Sequence, residues 1–150
     1  MRNGFSMITA IFVIVIMATV AAFVMNLSGK IVKSTTVQYQ REQANLYAKS
    51  YTEYAVMAVT AHDRSANCVE SINGTIGLPT DGNGYRIRTR VAYIGPTSVI
   101  GNCAGTRQLS NNVNTASTPL TIIIDAYVDY KDPDNTSQWL TVHRRTVQKI

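Results

Sequence analysis

The feature that most constrains this chain is a long apolar run close to its N-terminus. Between Arg2 and Lys30 lie 27 residues without a charged side chain, and 18 of the 21 residues from Phe5 to Met25 are hydrophobic. A helix needs about 20 apolar residues to cross the hydrocarbon core of a membrane. The run therefore predicts one membrane-spanning helix.

Outside this run the chain has the composition of a polar soluble domain. Of the 150 residues 45% are hydrophobic, but the run contributes a disproportionate part of that share. The whole chain is too apolar for a disordered protein and not apolar enough for one with several membrane spans. The remaining length allows one domain with a modest core.

A secretory signal peptide is the first alternative for the apolar run. Such a peptide has an apolar stretch of about 7 to 15 residues and a cleavage site of small residues. Here the stretch is longer, and the sequence after Ala21 and Ala22 is still apolar. A plain signal anchor is the second alternative, and the flanking charges of Arg2 and Lys30 leave its orientation open.

The extreme N-terminus, Met-Arg-Asn-Gly-Phe-Ser-Met-Ile-Thr-Ala, carries a family resemblance. A short basic leader that ends in glycine directly before the apolar run resembles the signal of type IV pilins and pseudopilins. The resemblance implies that a membrane-embedded prepilin peptidase cleaves between Gly4 and Phe5, and that Phe5 is then N-methylated. It also implies a single-pass inner-membrane protein with a periplasmic head, which later joins a cell-surface or periplasmic filament.

The resemblance implies four segments along the chain. These are a prepilin leader (1–4), the transmembrane half of an N-terminal helix (5–29), the amphipathic half of the same helix (30–62), and a periplasmic or extracellular head (63–150).

One position departs from the family pattern. Most major pilins carry a glutamate at the fifth mature residue, where it neutralises the terminal ammonium of a neighbouring subunit, but this chain has Thr9 there. A buried ammonium without a carboxylate partner is costly. The departure therefore favours a minor, low-copy subunit that starts or caps a filament, as among minor pseudopilins.

The helix is predicted to continue beyond the membrane to about His62. The segment from Ile31 to His62 contains no proline, and small or aromatic residues recur in it at spacings of three and four. This apolar stripe consists of Ala44, Tyr47, Ala48, Tyr51, Tyr54, Ala55 and Ala58. We expect its tyrosines to pack against a sheet.

After the helix the pattern predicts strands and turns. Asn73-Gly74 predicts a type I′ turn between strands 68–72 and 75–78, and the residues from Pro79 to Gly84 form a loop. Further strands are predicted at 85–94, 120–130 and 138–148, with a long irregular excursion at 95–119. The predicted fold class is α+β, a long N-terminal membrane-spanning helix packed on an antiparallel sheet, as in a pilin.

The two cysteines are predicted to form a disulfide. Cys68 and Cys103 lie 35 positions apart in a domain that the anchor places outside the cytoplasm, where the environment is oxidising. Their spacing does not match a zinc site. Many pilins have a comparable cysteine pair that fixes their variable loop.

The head contains a group of basic residues. They are Arg86, Arg88, Arg90, Arg144 and Arg145. The first three share one face of a strand, so DNA or an anionic surface is one predicted partner. The alternative is that Asp125 and Asp129, on one face of a neighbouring strand, pair with these arginines across the sheet.

Three aspartates crowd the last predicted hairpin. Asp129, Asp132 and Asp134 could hold calcium, whereas Pro133 and Asn135 favour an ordinary polar turn. No other cofactor is predicted.

Two function classes follow from the sequence. The first is a structural filament subunit that is processed by prepilin peptidase and packs among other pilins or pseudopilins. The second is a membrane-stalked adhesin or DNA-binding module that uses the basic strand face. We predict no enzymatic activity, because His62 and His143 lie on different elements and no nucleophile motif is present.

Overall fold

The structure is a computed structural model that describes residues 7–113 and 120–150. It contains helices and a sheet in the order of an α+β fold, as predicted. The helices are α1 (Met7–Ala61) and α2 (Thr97–Ile100), and short 3₁₀ turns lie at Pro79–Asp81 and Gly105–Arg107. The strands are β1 (Ser71–Leu78), β2 (Asn83–Ile94), β3 (Gln108–Ser110), β4 (Thr121–Lys131) and β5 (Trp139–Lys149).

The chain divides into two compact units, Met1–Tyr39 and Gln40–Ile150. In the first unit, residues 7–39 are all part of α1, and the large apolar side chains from Met7 to Met25 are exposed. The second unit contains the rest of α1 and the whole sheet. Residues 40–61 of α1, which are most of the half that is predicted to be amphipathic, therefore supply one layer of this second unit.

The four long strands form an antiparallel sheet in the order β1-β2-β4-β5. The short strand β3 pairs with the end of β2 in parallel, which the sequence did not predict. Side chains alternate between the two faces of the sheet, so that residues such as Ile122 and Ile124 are buried while Ile123 is only partly buried. The predicted antiparallel sheet is confirmed for the four long strands.

The core lies between the sheet and one face of α1. The buried helix residues are Ala44, Ala48, Thr52, Ala55 and Val59. Tyr47 and Tyr51 pack at the edge of this face, as predicted, but Tyr54 is 53% exposed and does not belong to it. The buried face includes Thr52, which was not predicted to belong to it. The Thr52 hydroxyl donates a hydrogen bond of 2.7 Å to the carbonyl of Ala48, so this buried polar group has a partner.

Two separate apolar clusters make up this core. One surrounds Ala55 and Val59 of the helix, and the other surrounds Ala44 and Ala48. Thr52 lies between the two helix pairs, and Thr89 lies in β2 between Ile87 of one cluster and Val91 of the other. Both threonines are buried. A polar residue in each layer therefore marks the boundary between the clusters.

The predicted turn at Asn73-Gly74 is wrong. Both residues lie inside β1, where Asn73 pairs with Arg88 and Gly74 with Ile87. The chain turns instead at Pro79–Asp81, and Gly82 closes that turn with a φ of 83°. Gly74 serves a different purpose, since a Cβ there would overlap the ring of Tyr51. Close packing of α1 on the sheet, not a turn, requires this glycine.

The C-terminal end of α1 is tied to the segment that follows β2. The Arg64 guanidinium donates hydrogen bonds to the carbonyls of Val59 (3.1 Å) and Val99 (3.3 Å). The carbonyl of Arg64 accepts a bond from the amide of Asn102. The excursion predicted as irregular is thus partly ordered, with α2 and β3 inside it.

Candidate functional site: the outer face of the sheet

The residues predicted to be processed and assembled lie in the N-terminal segment. Gly4 and Phe5 lie outside the described residues. Thr9 lies in the first turns of α1 and is exposed. Among the described residues, α1 is the one helix long and apolar enough to cross a membrane, and its most apolar stretch is entirely unburied. This agrees with the predicted membrane segment at the level of length and composition.

The predicted disulfide between Cys68 and Cys103 is present, with Cα atoms 5.0 Å apart. Cys103 belongs to the larger apolar cluster, and Cys68 packs against it. The bond joins the segment between α1 and β1 to the turn that follows α2. The disulfide therefore fixes the segment that follows β2, to which the Arg64 side chain also donates a hydrogen bond at Val99.

The face of the sheet that points away from α1, which we call the outer face, is polar. Its members on β1 and β2 are Ser71, Asn73, Thr75, Arg86, Arg88 and Arg90, and those on β4 and β5 are Asp125, Tyr127, Asp129, Lys131, Trp139, Thr141, His143 and Arg145. Each arginine of β2 lies opposite a neutral side chain of β1, and on the β4 side Arg86 lies opposite Asp129, Arg88 opposite Tyr127 and Arg90 opposite Asp125. This face brings together the predicted basic strand and both aspartates.

Asp129 is the buried centre of this face. Its side chain is 2% exposed and accepts hydrogen bonds from Arg86 (3.1 Å), Arg88 (3.0 and 3.1 Å) and Thr141 (2.8 Å). Burial acts to raise the pKa of this carboxyl, but the bonds from Arg88, Thr141 and Arg86 outweigh it and hold the pKa below its usual value. The carboxylate is thus charged and shared by two guanidinium groups.

Asp125 is the second anionic centre. Arg145 donates two hydrogen bonds to it, at 2.7 and 2.9 Å, and a ring nitrogen of His143 lies 2.8 Å from its Oδ1. The bonds from Arg145 lower the pKa of Asp125 further than its partial burial raises it, and the contact with His143 lowers it as well. The neighbouring Arg144 is opposite Ala126, a buried residue of the inner face, so it does not add to the outer basic group.

Aromatic rings separate the charged centres. The ring of Tyr127 stacks on His143 with centroids 4.5 Å apart, and the Arg88 guanidinium lies 5.7 Å from the Tyr127 centroid. The Arg86 guanidinium lies 4.8 Å from the Trp139 ring, and the Lys131 ammonium lies 5.4 Å from it. Such contacts favour one orientation of each cation. They were not predicted from the sequence, and Trp139 reaches Arg86 across the intervening strand β4.

The predicted alternative, in which aspartates of a neighbouring strand pair with the arginines of β2, holds for two of the three arginines. Arg86 and Arg88 are paired with Asp129 yet remain 49% and 44% exposed. Arg90 lies opposite Asp125 in the register, but within the described ranges it has no ion pair. The face is therefore both an internally paired network and a surface with excess positive charge.

The three predicted calcium ligands, Asp129, Asp132 and Asp134, take part in different contacts. Asp129 is engaged by the two arginines, while Oδ1 of Asp132 accepts the amide of Asp134 in the hairpin turn. In residues 7–113 and 120–150, no group of three His, Cys, Asp or Glu side chains has a geometry that could hold a metal ion. Calcium binding stays a prediction from the sequence.

Comparison with known proteins adds no family name. No protein-family model matches the chain, and neither the curated proteins nor the solved structures contain a significant match to it. The functional interpretation therefore rests on the residues and on the geometry described above.

Proposed function

We propose that the chain is a minor structural subunit of a type IV pilus or of a type II secretion-like pseudopilus. It is processed by prepilin peptidase, held in the inner membrane with its head in the periplasm, and assembled through its N-terminal helix at filament initiation or at the tip. Its partners are other pilins or pseudopilins. The proposed role is structural and not enzymatic.

One observation carries this proposal. A single helix, α1, exposes an uncharged apolar segment at one end and supplies a layer of the sheet's core at the other. An exposed apolar surface of this length must be covered by lipid or by other protein. A subunit that passes from a membrane into a bundle of like helices meets this requirement in both of its locations.

Two further features support an extracytoplasmic head. The disulfide between Cys68 and Cys103 suits an oxidising compartment. The leader that ends at Gly4, followed directly by Phe5, suits cleavage before the apolar segment, so that this segment remains in the mature chain. Thr9 in place of the family's glutamate suits a subunit of low copy number.

Mass spectrometry of the mature N-terminus tests the processing step. When the chain is co-expressed with a prepilin peptidase, we expect loss of residues 1–4 and one added methyl group on Phe5. Gly4→Leu is expected to retain the leader, because the side chain obstructs the backbone at the cleavage site. Gly29→Leu is the matched control, since no atom lies within 4 Å of a Cβ at Gly29. An intact Met1 in the unaltered chain would falsify the proposal.

Deletion of the gene tests the assembly role. Loss of the filament, or of secretion, is expected for a subunit needed at initiation. Intact filaments combined with lost DNA uptake or adhesion would instead identify a membrane-stalked binding module. Complementation with the unaltered chain and with the Gly4→Leu variant separates the need for processing from the need for the head.

A further inference from the structure

We propose that the outer face of the sheet binds a phosphate group in its dianionic form, in a groove beside strand β2. This groove, which we call the arginine groove, has a volume of about 500 Å³. It is bordered by Asn73, Thr75, Arg86, Arg88 and Arg90. This site is independent of the proposed filament role, because it uses none of the residues of the membrane segment.

The first argument is charge. Three guanidinium groups border the arginine groove, and one carboxylate, Asp129, contacts two of them. The neighbouring strand β1 contributes only neutral polar side chains to this face, at Ser71, Asn73 and Thr75. The other carboxylate of the face, Asp125, is held by Arg145 and His143. Two positive charges at the groove are therefore uncompensated, which matches the charge of about −2 on a phosphate monoester at neutral pH.

The second argument is preorganisation. Arg88 donates to Asp129 through Nε and one terminal nitrogen, whereas Arg86 donates through Nε and has one terminal nitrogen 3.0 Å from Oδ2. The remaining terminal N–H groups of each guanidinium are not used in that contact. Each guanidinium also lies against an aromatic ring, of Trp139 or Tyr127. An anion would meet donors that are already oriented, so that little side-chain entropy would be lost on binding.

The third argument concerns which phosphate compounds fit. The Tyr127 ring stacks on His143 and has the Arg88 guanidinium 5.7 Å from its centroid. The Trp139 ring has the Arg86 guanidinium at 4.8 Å and the Lys131 ammonium at 5.4 Å from its centroid. Nucleic-acid bases that stacked on these rings would compete with the cations that already contact them. The groove therefore favours recognition of a phosphate monoester or inorganic phosphate over recognition of a single-stranded nucleic acid.

The chain contains a built-in reporter for this site. Trp139 is its only tryptophan, and its ring lies 4.8 Å from the Arg86 guanidinium. The full chain in uncharged detergent micelles is titrated with inorganic phosphate while sodium chloride keeps the ionic strength constant. We expect a saturable change in tryptophan fluorescence. Dimethyl phosphate, which carries one charge, should bind more weakly.

Variants locate the binding to the groove. Arg90→Gln removes a guanidinium that has no ion pair within the described ranges, so it leaves the Asp129 contacts in place and should weaken phosphate binding about tenfold. Arg88→Gln should weaken it at least as much, and its thermal unfolding shows whether the sheet remains folded. Arg144→Gln is the matched control on the opposite face and should bind like the unaltered chain.

The same assay distinguishes an esterified phosphate from the free phosphate ion as the natural ligand. Binding of glucose 6-phosphate as tight as that of inorganic phosphate indicates an esterified phosphate, and weaker binding indicates the free ion; either outcome supports the site. Absence of a saturable change, or equal binding by Arg90→Gln and the unaltered chain, refutes it. Tight binding of duplex DNA or heparin without any response to the monoester also contradicts the proposal, because it assigns the face to a polyanion.

Discussion

The ring of Tyr51 on α1 lies over the backbone of Gly74 on β1, in the space that any larger residue at position 74 would need. Tyr51 packs against the cluster that contains Ala44 and Ala48, so this contact sets how closely the helix approaches that edge of the sheet. The glycine is thus required by its partner across the layer and not by its own backbone conformation, since its φ is not positive.

Gly74→Ala is expected to destabilise the chain. The added methyl group overlaps the Tyr51 ring, and such overpacking in a core costs about 1 to 3 kcal/mol. Chemical unfolding of the full chain in detergent micelles measures the difference. Gly105→Ala is the control, because no atom lies within 4 Å of a Cβ there. Adding Tyr51→Leu to Gly74→Ala should recover part of the loss, and strict additivity of the two changes would argue against the contact.

The Gly74 contact also shows where sequence reasoning stops. The Asn-Gly pair carries a strong local turn signal, but both residues lie in the ladder between β1 and β2. The glycine is explained instead by Tyr51, 23 positions earlier in the chain, whose ring leaves no room for a side chain there. Tertiary contacts of this kind are invisible to local patterns. In contrast, the alternation in β2 and β4 was predictable because one face of each strand is buried, and burial imposes period two on the sequence.

The sequence predicts which charged residues share the outer face, but not which of them contact each other. Alternation places Arg86, Arg88 and Arg90 together, and the same argument groups Asp125 with Asp129. Which arginine meets which aspartate depends on the register between β2 and β4, and register is set by the turns and the core and not by the charges themselves. The same alternation separates Arg144 from Arg145, since adjacent strand residues face opposite sides, and only Arg145 lies on the outer face.

Thr89→Val is expected to stabilise the chain. The side chain is completely buried between the two apolar clusters, and its hydroxyl has no hydrogen-bond partner in the described residues. Removing an unsatisfied buried hydroxyl while keeping the shape should gain about 1 kcal/mol. Thermal unfolding measures this gain. Thr52→Val is the matched control on the helix, where the hydroxyl is bonded to Ala48 and no comparable gain is expected. A lower melting temperature for Thr89→Val would indicate that its hydroxyl is satisfied in solution.

Asp129→Asn is expected to destabilise the chain at neutral pH, because it removes the charged acceptor that Arg86 and Arg88 share. The loss should be only about 1 to 2 kcal/mol, since both arginines are half exposed and screened by solvent. The folded pKa of Asp129 lies below its unfolded value of about 3.9. The carboxylate therefore stabilises the fold fully above the unfolded pKa, and this contribution is lost as the pH falls through the folded pKa.

Unfolding measured at several pH values between about 2 and 7 checks this sign for Asp129. The difference between the unaltered chain and Asp129→Asn should be constant near neutral pH and should shrink in acid. Asp81→Asn serves as control, because Asp81 lies exposed in the turn after β1 and has no arginine partner in the described residues. A difference that persists unchanged at low pH would mean that the amide is disfavoured for its shape and not for its charge.

Reduction of the disulfide between Cys68 and Cys103 is expected to lower stability. Closing a loop of 35 residues restricts the unfolded chain, and the entropy model gives about 4 kcal/mol for a loop of that size. Cys68→Ser combined with Cys103→Ser, and separately reduction by a thiol, should lower the melting temperature by similar amounts. Arg64→Gln separates the two ties at this end of the head, since it removes the bonds to Val59 and Val99 but keeps the disulfide. Unchanged melting of the unaltered chain after complete reduction, verified by mass spectrometry of alkylated cysteines, would show that the core alone holds this loop.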